Sequence, residues 1–393
     1  MFETLKALPS DAILRLISEY AADERAEKID LGVGVYRTEA GDTPVLAAVK
    51  AAERRIVDTQ ASKSYLGSGG DPGFNDFARD LTFGDSVAAE RVTTLQTPGG
   101  SGALRVAAGL LLRARGDVTV WHSDPTWANH VPLLGGAGLK LAAYPYYDAE
   151  NCALRFDDML AAIDRIPPGD VLLLHGCCHN PTGMDLDAEQ WQAVAERVVE
   201  RGLLPFVDLA YQGFADGLEE DAAPIRLLAA RVPEMLVATS CSKNFGLYRD
   251  RAGSLSIVSS DAGTAGIVRS QAHNLVRTMY SMPPDHGAAI VREILADDAL
   301  RSDWLGELRE MRERLKDMRQ RLVAALRDHA PAHDFSHVAR ANGMFCFLGL
   351  DEQQVERLKS ERGVYMVNSS RINVAGITPA NVDYLAESVA SVL

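Results

Sequence analysis

Alternating apolar strands and amphipathic helices predict an α/β protein built on a mainly parallel sheet, with a smaller second domain. Three observations carry this reading. First, strand-like runs recur at 118–121, 139–144, 171–175, 203–208, 236–239 and 254–258, with helical stretches such as 188–201 between them. Second, polar residues gather where those runs end: Trp127 and His130, then Asn180, then Asp208 and Tyr211, then Lys243. Ligand groups collect at strand ends in such sheets. Third, from about Asp298 the period changes. Trp304, Leu308, Met311, Leu315, Met318, Leu322 and Leu326 step by three and four with charges between them, which predicts one long helix leading out of the sheet.

Composition narrows the function classes. The chain has 393 residues, 47% of them apolar, enough for a large core and two or three domains. A net charge of −14 with no basic patch weighs against nucleic acid. No window approaches the roughly 18 apolar residues of a membrane span. The opening MFETLKALPSDAIL lacks the charged start and apolar run of a signal peptide, and the five cysteines are an odd number. A cytoplasmic protein with reduced thiols is therefore expected.

In chain order, Pro9-Ser10-Asp11 reads as a helix start, with Ile13, Leu14, Ile17 and Tyr20 on one face. The segment IDLGVGVYRTEAG holds Gly32 and Gly34 but neither a third glycine nor a following helix. It therefore suits close backbone approach better than dinucleotide binding. Residues 44–60 read as helical, and SYLGSGGDPGF as a loop carrying Tyr65, which by itself reads equally as a half-buried surface aromatic. In TLQTPGGSGALRVAAGLLLRARG a strand meets Gly99, Gly100, Ser101 and Gly102, then a helix from Ala103 to about Leu112. A helix opening after glycines presents free N–H groups to an anion, although an ordinary strand-to-helix turn gives the same sequence.

HGCCHNPTG (175–183) contains the residue types of a metal site. On an extended chain, however, Cys177 and Cys178 point to opposite faces, so no metal is expected. Asn180-Pro181-Thr182-Gly183 is turn chemistry that leaves the Asn180 amide free. In FVDLAYQGF, Asp208 ends an apolar strand, where a carboxylate needs a cation unless it caps the next helix. Tyr211 follows three residues later.

The most informative stretch is MLVATSCSKNFGLYRDRAG (235–253). Lys243 lies just beyond a buried strand, among Ser240, Ser242 and Arg251. Desolvation and a neighbouring cation lower an amine's pKa, which a nucleophilic lysine needs, and the hydroxyls and arginine suit an anion beside it. A lysine next to a phosphate-type site suggests pyridoxal phosphate held as a Schiff base. Further on, MFCFLGL (344–350), a helix near 353–362 and YMVNSSRINVAG build the second domain, with Arg371 between strand-like residues.

Together, IDLGVGVY, TPGG, HGCCHNPTG, DLAYQGF, SKNFGLY and SRINVAG resemble the class I pyridoxal-phosphate aminotransferases, in the aspartate and aromatic amino acid branch, over nearly the whole chain. The resemblance implies a fold type I architecture. Its large domain (45–305) carries a mainly parallel seven-stranded sheet flanked by helices, and its smaller α/β domain is formed by both termini (1–44 and 306–393). It implies that Lys243 holds the cofactor and carries the substrate proton. Asp208, backed by His130, pairs with the pyridinium nitrogen; Tyr211 and Asn180 bond the ring oxygen, and Trp127 stacks on the ring. Gly100, Ser101, Ser240, Ser242 and Arg251 take the phosphate, with Tyr65 from a neighbouring subunit. Arg371 grips the α-carboxylate, Val33 and Gly34 belong to a segment that closes over substrate, and Arg277 reads a distal carboxylate across a homodimer.

Where aspartate-preferring relatives carry threonine and asparagine, this chain has Ser101 and Met282, and Ala128 follows Trp127 in place of the usual proline. The expected activity is therefore transamination of tyrosine or phenylalanine, and also aspartate, with 2-oxoglutarate as acceptor in a ping-pong cycle. A strict aspartate aminotransferase is the alternative, and decarboxylation, β-elimination and a binding module are more distant ones.

Overall fold

The computed structural model describes residues 1–7 and 12–393, so the helix start expected at Pro9-Ser10-Asp11 lies outside the described residues. Seven strands form the central sheet: β1 (Val92–Pro98), β2 (Thr119–Asp124), β3 (Lys140–Pro145), β4 (Val171–His175), β5 (Leu204–Leu209), β6 (Met235–Ser240) and β7 (Ala252–Val258). Their order is β1-β7-β6-β5-β4-β2-β3. Only β7 runs antiparallel to its neighbours, so the sheet is mainly parallel. The central strands are apolar on both faces, as a sheet covered by helices on each side requires. Two apolar clusters fill those two layers.

The register places chemistry at one edge. His175 pairs with Asp208, and Asp208 with Ala238, so the ends of β4, β5 and β6 lie side by side. The long helix Asp298–His329 buries every residue of the stripe expected of it, from Trp304 to Leu326. Trp304 stacks on Phe245 at 4.3 Å and donates to the Asn244 carbonyl at 2.7 Å, which fixes the turn holding Lys243. Beyond that helix, Phe345–Phe347 pairs antiparallel with Arg371–Asn373, and Ile29–Asp30 pairs parallel with Val364–Tyr365. The second of these two small sheets joins a segment near the start of the chain to one near its end.

Three local expectations need correction. Among the described side chains of the helix Ala12–Ala22 the buried one is Leu16, while Leu14 and Ile17 are 64% and 39% exposed; the side packed on the body is set by contact with Gly32, not by the apolar count. The helix after β1 starts at Gly99, not Ala103, and runs to Ala114, so the glycines form its first turn. Cys178 has φ +51°, which breaks the extended chain and lets its thiol and that of Cys177 face each other. Among the described residues no group of side chains is placed to hold a metal ion, and no helix is long and apolar enough to cross a membrane.

Candidate active site

A cavity of about 200 Å³ opens at the ends of β4, β5 and β6. Lys243 lines it, with its Nζ 4.8 Å from the centre of the Tyr211 ring. Burial pushes the Lys243 amine down to about 8; Asp208 opposes that shift and Arg251 adds to it. An amine in this range has a usable neutral fraction near neutral pH.

Asp208 does not cap a helix. It ends β5, is 8% exposed, and accepts a 2.9 Å hydrogen bond from His130 Nε2. Burial alone would raise its pKa, but the bond and charge of His130, with help from Lys243, carry it below the usual carboxylate range. His130 Nδ1 lies 2.8 Å from Thr126 Oγ1, which is also 3.2 Å from His175 Nε2. His175 and His179 are both pushed down by burial, His179 to about 3, so neither carries charge near neutrality. Trp127 meets the His130 ring edge-on at 5.2 Å, on the cavity wall.

On the β4 side, Asn180 Nδ2 points at the Tyr211 hydroxyl at 3.5 Å, while its Oδ1 is buried without a hydrogen-bond partner. Burial holds the Tyr211 phenol well above its ordinary pKa, with Arg371 acting in the opposite sense. A buried amide oxygen left unpaired is costly, so it marks a place for a ligand donor.

At the opposite end, Arg251 Nη1 donates to Ser242 Oγ at 3.2 Å, and Ser240 Oγ to Ser242 Oγ at 3.1 Å. The guanidinium crosses the first turn of the helix Gly99–Ala114: a Cβ on Gly99 would lie 2.4 Å from Arg251 Nη2, at a φ of +69°. Glycine there lets an arginine, two hydroxyls and the free N–H groups of a helix start converge on one point. Such a convergence suits an anion.

Arg371 stands beside the cavity, 8% exposed. Its Nη2 donates to the Gly32 carbonyl at 3.0 Å, its Nε is buried without a partner, and its Cζ lies 4.4 Å above the Phe345 ring. Burial lowers its pKa from the ordinary value. Among the described residues no carboxylate is within ion-pair distance of Arg371 or Arg251, so each presents an unneutralised cation to a ligand. Gly34 lines the cavity from the segment that Asn373 Nδ2 ties down through the Val35 carbonyl at 2.8 Å.

Of the residues singled out from the sequence, Gly34, Gly100, Ser101, Trp127, Asn180, Asp208, Tyr211, Ser240, Ser242, Lys243 and Arg251 line this one cavity. Arg371 stands next to this cavity without lining it, and Tyr65 and Arg277 lie elsewhere. Tyr65 and Arg277 share a separate surface cavity with Ser281 and Met282, and Tyr65, 92% exposed, is not the half-buried aromatic it resembled. Sequence reasoning missed Tyr248, a wall residue whose hydroxyl accepts from the Tyr36 N–H at 2.8 Å. It closes the SKNFGLY motif, five residues past Lys243, and that spacing was its only signal. His175 was also missed; its position at a strand end could have revealed it.

The family model for aminotransferase class I and II matches residues 26–389. The chain belongs to this family. This aminotransferase is 48% identical to the aspartate aminotransferase of Escherichia coli (strain K12) and 46% identical to the aromatic-amino-acid aminotransferase of Paracoccus denitrificans, in each case over the full length of both chains. Among solved structures, the aromatic-amino-acid aminotransferase from Burkholderia pseudomallei, covalently bound to pyridoxal phosphate, superposes on the aminotransferase with a TM-score of 0.98. That match has 43% identity and covers 100% of this chain and 99% of the other.

Proposed function

We propose that this aminotransferase moves an amino group between an aromatic or acidic amino acid and 2-oxoglutarate, using pyridoxal phosphate in the cavity around Lys243. The residues fit that cofactor. The amine faces the cavity between a carboxylate at one end and a cationic, hydroxyl-rich cradle at the other, and the Asn180 amide and Tyr211 hydroxyl stand side by side as donors for a ring oxygen. When bound, pyridoxal phosphate supplies an electron-withdrawing ring that acidifies the Cα proton of the amino acid joined to it.

The chain's own groups do the rest. Lys243 would hold the cofactor and, as a base of near-neutral pKa, would carry the proton to and from the substrate Cα. Asp208, kept ionised by His130, would hold a proton on the ring nitrogen. Tyr211 and Asn180 would bond the ring oxygen, and Trp127 would stack on the ring. Gly100, Ser101, Ser240, Ser242 and Arg251 hold the phosphate, and Arg371 takes the α-carboxylate in a two-pronged grip. Gly34 and its neighbours close over the substrate and exclude water.

Tyr65 and Arg277 serve the matching cavity of a second copy of the chain, which makes the working enzyme a cytoplasmic homodimer. The large domain spans 45–305, with 1–44 and 306–393 forming the smaller one. Arg277 admits aspartate and glutamate. Met282 beside it and Ser101 in the main cavity are the apolar and small groups that favour an aromatic side chain.

The observation that carries this reading is the Lys243 amine, depressed to about 8 and facing both Asp208 and Arg251. Lys243→Ala is expected to abolish turnover and the near-ultraviolet/visible band that borohydride bleaches; an unchanged band shows that another lysine is used. A strict aspartate aminotransferase is the second reading, favoured by Arg277. A preference for aspartate over phenylalanine beyond about 1000-fold in kcat/KM, roughly 4 kcal/mol, would decide for it.

A further inference from the structure

The long helix Asp298–His329 carries a charge that the catalytic reading does not use. Arg319 is 1% exposed and is among the largest fully buried side chains of the protein. Among the described residues it has no carboxylate within ion-pair distance, and its Nε has no partner. Burying a lone cation costs several kcal/mol, and an apolar residue of similar size is often as good or better for stability. Its presence needs another reason.

Its contacts supply one. Arg319 Nη2 donates to two backbone carbonyls, Phe345 at 3.2 Å and Asn342 at 3.4 Å. Phe345 begins the strand paired with Arg371–Asn373, and its ring lies under the Arg371 guanidinium and edge-on to Tyr211 at 6.2 Å. Asn342 reaches the other way. Its N–H donates to the Gly183 carbonyl at 2.7 Å, and its Nδ2 to Asp185 Oδ2 at 3.1 Å. Asp185 in turn accepts from the backbone of Cys178 and His179, both at 2.8 Å, immediately before Asn180.

Two glycines let these segments meet. A Cβ on Gly183 would lie 2.2 Å from the Phe345 oxygen, and one on Gly343 would lie 2.4 Å from Cys178 Cβ. The planar guanidinium thus holds two fixed carbonyls where the Asn180 loop touches the Arg371 strand, which an apolar side chain cannot do.

We propose that Arg319 is a positioning residue: by holding the carbonyls of Asn342 and Phe345 it fixes the spacing between Asn180 and Arg371, and so the fit of a substrate carboxylate. This rests on the reading of Arg371 given above. The test is a titration of the purified holoenzyme with 3-phenylpropionate, a carboxylate with an aromatic chain and no amine to react, alongside melting curves. Arg319→Met should weaken binding about tenfold, or about 1.4 kcal/mol, and Arg319→Lys should recover much of the loss.

Asn342→Ala, which cuts the same web at Asp185 without touching the buried cation, should weaken binding several-fold and decides the matter if Arg319→Met does not fold. Binding within twofold of wild type in the folded variants, even with lower melting temperatures, would make Arg319 merely structural and overturn the proposal. Arg371→Leu separates the two readings. If it binds 3-phenylpropionate as well as wild type, the carboxylate site itself is misassigned; if it alone loses binding, only the role of Arg319 fails.

Discussion

Two cavities of this chain are built in opposite ways. The one around Lys243 is framed by the ends of three adjacent strands, and its polar groups are buried and mutually bonded. The one around Arg277 and Tyr65 lies on the surface, formed by a loop and the end of the helix Ala262–Met279, with Tyr65 almost wholly exposed. Chemistry shared by all amino acids requires fixed geometry, and the sheet provides it. On the proposed reading, discrimination between side chains falls to the open region, where Ser281 of its own chain holds Arg277. The contrast teaches that one fold can hold its reaction constant while its substrate range varies at the edge.

The sharpest way to break that comparison is to remove the edge cation. With a second copy of the chain covering it, as proposed, Arg277→Ala should cost aspartate and glutamate roughly 2–5 kcal/mol in kcat/KM, the usual range for removing one partner of a buried charge pair, while phenylalanine suffers far less. Equal losses for both would show that Arg277 does not read side chains, and the division of labour between the two cavities would fall.

The framed cavity can be probed without any substrate. An amine depressed from 10.5 to about 8 is a folding penalty, because the unfolded chain holds that proton more tightly. The penalty is fully present below about pH 8 and fades as pH rises toward 10.5. Lys243→Met should therefore stabilise the cofactor-free protein at pH 7 by up to about 3 kcal/mol, with the gap to wild type closing above pH 10 in urea titrations. A gap that does not change with pH would mean the gain comes from packing, and the amine is not desolvated as described.

What could be read from the sequence follows the same divide. Strand runs ending in Asn180, Asp208 and Lys243 predicted the framed cavity because strand direction and side-chain alternation are local properties, and a parallel sheet aligns its ends. Arg371 and Gly34 are far apart in sequence; the pairing of both chain ends ties Arg371 to the segment through which Gly34 lines that cavity, and no periodicity encodes it. Cys177 and Cys178 were misread for a related reason. Alternation assumes an extended backbone, and a single residue at φ +51° defeats it. Leu14 and Ile17 looked like a core face, yet the helix Ala12–Ala22 lies at the edge of the body, and which side is covered depends on tertiary contact rather than on the spacing of apolar residues.

The smallest expected effect tests the edge most finely. Met282 lines the open cavity beside Arg277 and offers it no hydrogen bond of useful strength, since a thioether is a weak acceptor. Met282→Asn gives the guanidinium an amide oxygen as a partner and makes the region less welcoming to an aromatic ring. The ratio of kcat/KM for aspartate over phenylalanine should rise about three- to tenfold, on the order of 1 kcal/mol, with the borohydride-sensitive band unmoved. A shift in that band would mean the edge is coupled to the framed cavity after all. An unmoved ratio would leave Ser101, inside the frame, as the remaining candidate for the aromatic preference, and specificity would then belong to the rigid region as well.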